Sequence, residues 1–133
     1  MLLGFEHIGM TSSNLDRTID FYCGLLGLTV ALRRTNERNE MAFLDTGSGM
    51  LEVSCPVANV TRSRDVPPDE AGMRHLTLAF TDVDAMVVKL AAAGVEIVEM
   101  PRPAFHTEML HRIAFVRDPD GIIVELVERA KGR

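Results

Sequence analysis

The chain of 133 residues is 47% hydrophobic and carries a formal net charge of -5, which is enough apolar content for one packed domain or two small fused modules. With no run of Lys or Arg, that balance gives no electrostatic attraction to phosphate backbones or anionic lipid, so neither nucleic acid nor membrane is expected as a partner. No apolar stretch approaches the roughly 20 residues that cross a bilayer, and no basic-then-apolar leader is visible, so a cytoplasmic protein is expected.

Phe5 to Met10 is short and apolar and predicts a buried strand, after which Thr11-Ser12-Ser13-Asn14 offers turn and N-cap chemistry. Leu15, Ile19, Tyr22, Leu25 and Leu26 recur at three- and four-residue spacing, with Asp16 in the first turn and Gly27 as a C-cap, so one helix of about three turns is predicted. Leu28–Arg33, Met41–Asp45 and Met50–Cys55 read as three strands, separated by polar and glycine-rich turns. Pro56 to Gly72, with three prolines among charged and small residues, reads as a linker or long surface loop. The pattern then restarts: Met73–Phe80 as a strand, a helix over Val83, Met86, Val87 and Leu90 with Thr81 or Asp82 as cap and Gly94 as stop, then strands at Val95–Val98, Arg112–Val116 and Ile122–Val127. Cys23 and Cys55 belong to no Cys-x-x-Cys pair and are read as reduced thiols.

The halves match by spacing. His7 precedes Leu15 by eight residues, and His75 precedes Val83 by eight; Ala42-Phe43-Leu44 matches Ala114-Phe115-Val116; Glu52 lies nine residues after Phe43, and Glu125 ten after Phe115. The fold class expected is therefore α+β, two tandem βαβββ modules over residues 1–55 and 73–133 joined by a linker over 56–72. Each module places a His on its first strand and a Glu on its fourth.

Strand alternation sets these four residues apart from their apolar neighbours, Ile8, Leu51, Val53, Leu76, Val124 and Leu126, which point the other way. A carboxylate left uncompensated among such strands costs several kcal/mol or is forced to protonate. One divalent cation held by His7, Glu52, His75 and Glu125 removes that penalty. The mixed nitrogen and oxygen set suits Zn, Ni, Co, Fe(II) or Mn, and the absence of cysteine ligands argues against a closed structural zinc site.

The segments Glu6-His7-Ile8-Gly9 and Leu15-Asp16-Arg17-Thr18-Ile19-Asp20-Phe21-Tyr22, leading to Leu25-Leu26-Gly27-Leu28, resemble the opening of the vicinal oxygen chelate superfamily. Arg74-His75-Leu76 before Asp82-Val83-Asp84, and Asp118-Pro119-Asp120-Gly121 before Val124-Glu125-Leu126, are similar to its glyoxalase I, methylmalonyl-CoA epimerase and bleomycin-resistance branches. The resemblance spans almost the whole chain. It implies a half-open mixed β-barrel around a metal that chelates vicinal oxygens of a small-molecule substrate, and a lyase or isomerase that moves a proton on a carbon adjacent to a carbonyl held by the metal. Glu52 and Glu125 fall where those enzymes keep ligands or bases, with Glu125 preferred as the base. Thr11 and Pro56 replace the arginine and asparagine that serve glutathione in familiar glyoxalases, so an acyl-CoA substrate stays beside a hemithioacetal.

Between Pro101 and His111, Arg102, His106, Glu108 and His111 are candidate substrate contacts. A metal-free drug-binding module of the bleomycin-resistance kind is the alternative from another class. The filled ligand positions and an aromatic content of 5% weigh against it. An extradiol-type dioxygenase, which uses two His and one carboxylate, ranks lower. Open sheet edges and the resemblance favour a homodimer.

Overall fold

Asn14 and Asp82 start the two helices by the same device. In the computed structural model, which describes residues 1–133, each has extended backbone and a side-chain oxygen that accepts from the N–H three residues on, Arg17 and Ala85 respectively. Such a cap satisfies a donor that the first helical turn otherwise leaves unpaired. Helix α1 (Leu15–Ile19) and helix α2 (Val83–Ala92) follow.

The single three-turn helix expected after Leu15 is corrected by the structure. From Asp20 to Leu25 the winding is π-helical, and the Leu26 N–H donates to the Phe21 carbonyl at 3.0 Å. The wider turn buries Phe21, Tyr22 and Leu26 together and leaves Leu25 only half-buried, because each residue there advances less than α-geometry prescribes.

Eight strands form two four-stranded open sheets. β1 (His7–Thr11), β2 (Thr29–Thr35), β3 (Asn39–Asp45) and β4 (Met50–Pro56) are ordered β1-β4-β3-β2; β5 (Leu76–Ala79), β6 (Ile97–Pro103), β7 (Leu110–Arg117) and β8 (Ile123–Arg129) are ordered β5-β8-β7-β6. The β1–β4 and β5–β8 pairs are parallel, and the others antiparallel. Several strand boundaries differ from expectation. β1 begins at His7 rather than Phe5, β5 begins one residue after His75, and β6 runs through Pro101 to Pro103 rather than ending at Val98. β6 is an edge strand, where a residue without an N–H removes no interior ladder bond.

The chain divides into two compact units, Met1–Arg62 and Ser63–Arg133. In the first, Leu15, Phe21, Tyr22 and Leu26 cover one face of the sheet, where Ala42, Leu44, Leu51 and Val53 are buried. In the second, Val83, Val87 and Leu90 do the same for Ala114, Val116, Val124 and Leu126. A fully buried side chain of the larger kinds contributes about 1.5–3 kcal/mol. The Ser63 N–H donates to the Asp120 carbonyl at 2.9 Å and Arg117 pairs with Asp65 at 2.7 Å, so the end of the connecting segment is tied to the second unit. The Asp118-Pro119-Asp120-Gly121 motif is the turn before β8: the Asp118 carboxylate accepts from the Asp120 and Ile122 N–H groups, both at 2.9 Å.

Candidate metal centre

Residues directly opposed in a sheet share a face, and the registers gather the chemistry on the face away from each helix. In the first unit Gly9 and Phe43 flank Glu52 in register; in the second Thr77 and Phe115 flank Glu125. His7 Nε2 lies 3.5 Å from Glu52 Oε2, and His75 Nε2 lies 3.1 Å from Glu125 Oε2. Each imidazole meets the neighbouring phenylalanine edge-to-face, His7 on Phe43 at 5.7 Å and His75 on Phe115 at 5.5 Å. Both sheets also carry a one-residue bulge at the same place, between Val30 and Leu32 opposite Leu44–Phe43 and between Ile97 and Glu99 opposite Val116–Phe115. A bulge of this kind re-aims the following side chains, so Leu32 and Glu99 come to the face of the His–Glu pair.

The two His–Glu pairs differ in what holds each side chain. Glu6 accepts from His7 Nδ1, and this carboxylate is the first cause of a raised His7 pKa, with Glu52 adding to it and partial desolvation opposing. In the neutral ring the same contact keeps the proton on Nδ1 and leaves the Nε2 lone pair for a cation. The corresponding position in the second unit is Arg74. There the support falls on the carboxylate: Thr77 Oγ1 donates to Glu125 Oε2 at 2.8 Å. The Glu125 side chain is 11% exposed, against 38% for Glu52.

A family model for the Glyoxalase/Bleomycin resistance protein/Dioxygenase superfamily matches residues 4–126. The chain belongs to this superfamily. A lactoylglutathione lyase of Arabidopsis thaliana is 32% identical over 129 residues, covering 94% of this chain and 44% of the relative. A probable lactoylglutathione lyase of Vibrio cholerae is 31% identical over 128 residues, 92% of this chain and 88% of the relative. Glyoxalase I from Zea mays superposes with a TM-score of 0.79 at 25% identity, over 96% of this chain and 45% of that one. The chain thus spans under half the length of these two plant proteins. No helix is long and apolar enough to cross a membrane.

The other candidates of this superfamily member are placed unequally. Arg102 sits on β6 opposite Ile113, two residues along β7 from Phe115, so it shares the face of Glu125. Its guanidinium is paired with Glu99 and lies 4.4 Å from the centre of the Phe105 ring. His111 is on β7, 3.9 Å from Glu128 on the α2 side, and is mostly exposed. His106 is exposed, and its carbonyl accepts from the Met109 and Leu110 N–H groups in the β6–β7 turn. Glu108 is exposed in the same turn. A second group of acids, Asp82, Asp84 and Glu128, brings ligand atoms within 4.8 Å of one another, but each is already answered. Asp82 caps Ala85, Glu128 accepts from the Val83 N–H, and Asp84 holds Arg112 at 2.8 Å. Sequence reasoning missed Glu6, Thr77 and Glu99, although Glu6 and Thr77 stand one and two residues from the predicted histidines.

Proposed function

We propose that the protein is a divalent-metal-dependent lyase or isomerase of the glyoxalase type, moving a proton on a carbon next to a carbonyl. The observation that carries this reading is the repeated His–Glu pair, His7 with Glu52 and His75 with Glu125, at matching register on the helix-free face of each sheet. Two imidazoles and two carboxylates suit Ni, Co, Zn, Fe(II) or Mn, and Glu6 is disposed as a partner that orients a ligating histidine. When bound, such an ion supplies Lewis-acid stabilisation of negative charge on the carbonyl oxygen, worth several kcal/mol.

The chain's own residues do the rest. One of Glu52 and Glu125 takes the proton from carbon and returns it, an effect typically worth about 10²- to 10⁴-fold. Arg102, held in place by Glu99, the Pro103 carbonyl and Phe105, has its other terminal nitrogen for an anionic group on the substrate. His111, Arg112 and Lys131 line a groove of about 490 Å³ in the second unit, with His106 in the adjoining turn, but His111 and Arg112 lie on the α2 side beside Glu128 and Asp84, so Arg102 is the candidate contact on the face of Glu125. The names of the relatives support a hemithioacetal substrate, while Thr11 and Pro56, at the ends of β1 and β4, keep acyl-CoA thioesters beside it.

Elemental analysis of protein purified without a metal-binding tag tests the reading. About one divalent ion per four-ligand site is expected, lost in His7→Ala and His75→Ala. Solvent deuterium should then enter a hemithioacetal or acyl-CoA thioester. No uptake of Ni, Co, Zn, Fe(II) or Mn would remove the metalloenzyme and leave a binding module.

A further inference from the structure

The two glutamates occupy equivalent places and have unequal partners. Opposite Glu125 stands Thr77, whose hydroxyl donates to Oε2 at 2.8 Å, and opposite Glu52 stands Gly9. A side chain built on Gly9 would meet no atom within 4 Å of its Cβ, so the space beside Glu52 is open where the space beside Glu125 is filled by a donor. A carboxylate that carries a proton has to swing between positions. Glu125 cannot swing without giving up the Thr77 hydrogen bond and its 3.1 Å approach to His75, whereas Glu52 gives up only a 3.5 Å approach to His7.

Resting on the metalloenzyme reading above, we propose that Thr77 is a positioning residue that fixes Glu125 as the permanent ligand and leaves Glu52 as the carboxylate that carries the proton. The order of roles is the reverse of the one preferred from the sequence. In the step itself the substrate C–H bond breaks, its electron pair moves onto the carbonyl oxygen, and the proton forms an O–H bond on Glu52. That O–H bond then breaks as the proton returns to the former carbonyl carbon, while the hydroxyl on the first carbon gives its proton to the neighbouring oxyanion and becomes the new carbonyl. No oxidant or co-reactant is consumed.

The test uses full-length protein and Zn²⁺ alone as the first probe. Removing an outer partner of a ligand typically costs about 10- to 100-fold in metal affinity. Thr77→Val should therefore show a loss of that size by calorimetry, with thermal unfolding of the metal-free protein unchanged. Thr77→Ser should restore binding. Glu125→Gln should lose the ion, while Glu52→Gln should keep it and lose solvent deuterium exchange. Gly9→Thr, which offers Glu52 the partner that Glu125 has, should keep the ion and slow exchange about tenfold or more. Wild-type affinity in Thr77→Val, or undiminished exchange in Glu52→Gln, overturns the assignment and leaves the metalloenzyme standing. A wild-type protein that takes up no metal overturns the proposed function itself, and this assignment with it.

Discussion

Arg102 shows how a residue of ordinary type becomes specific by what surrounds it. Glu99 and the Pro103 carbonyl hold two of its guanidinium nitrogens and Phe105 lies against it, so the group is already oriented, and a lysine's single ammonium cannot make all of these contacts at once. Arg102→Lys should raise KM for an anionic substrate about tenfold with kcat little changed, since the interaction is made equally in ground and transition states; a fall in kcat alone would refute that role. Asp84 and Arg112 give a pH prediction of known sign. The Arg112 hydrogen bond is the main reason the Asp84 carboxyl is held below its ordinary 3.8. A depressed folded value stabilises the protein above the unfolded pKa and ceases to do so as the pH falls through the folded one. Acid unfolding of Asp84→Asn should thus be less steep below about pH 4 than that of the parent, when followed by circular dichroism. That His7 and Glu52, and His75 and Glu125, form matched sets was legible because two residue types recur at matched intervals. Their supports were not, because whether Glu6 and Thr77 act on a neighbour or on solvent depends on side-chain directions that spacing alone does not fix.

At the scale of elements, capping and bulges do most of the placement. Asn14 and Asp82 fix where each helix starts, and each helix covers the sheet face that leaves the His–Glu face clear. Asp82→Ala should cost about 1 kcal/mol in denaturant unfolding. Leu126→Ala, in the layer beneath α2, should cost about 2–5 kcal/mol. Element order was readable from apolar periodicity and from Gly27 and Gly94. The extent of β6 was not, since Pro101 and Pro103 look like breakers unless the strand is known to lie at an edge. Nor were the paired bulges, which exist only relative to the strand opposite: Leu32 and Glu99 differ in chemistry, and nothing local marks them as equivalent.

At the scale of the molecule, each unit has its own core and only half of the proposed ligand set. If the proposed ligands take up a cation only in the folded chain, saturating metal at about 100 times its Kd should stabilise the protein by about 2.7 kcal/mol, and chelation should reverse the rise in Tm. Mixing His7→Ala and His75→Ala chains shows which halves meet. If one chain completes its own centre, the mixture should stay inactive; if a twofold dimer shares them, the mixed dimer should regain one intact centre.

The π-helical segment Asp20–Leu25 has a consequence for how the duplicated halves drift apart. Gly27 follows its helix cap by thirteen residues and Gly94 follows its cap by twelve, so the first copy contains one residue more between the same landmarks. The surplus is taken up in the winding, at the cost of a shifted hydrogen-bond ladder over one turn, and never reaches the strands. The helix acts as a length buffer: insertions and deletions there are invisible to the registers that align histidine with glutamate, whereas a single-residue change within β1 or β4 would turn every later side chain to the wrong face. Deleting Gly24 should accordingly yield a folded chain with a plain α-helix and both His–Glu pairs intact, the kind of change a diverging lineage can accumulate without disturbing them.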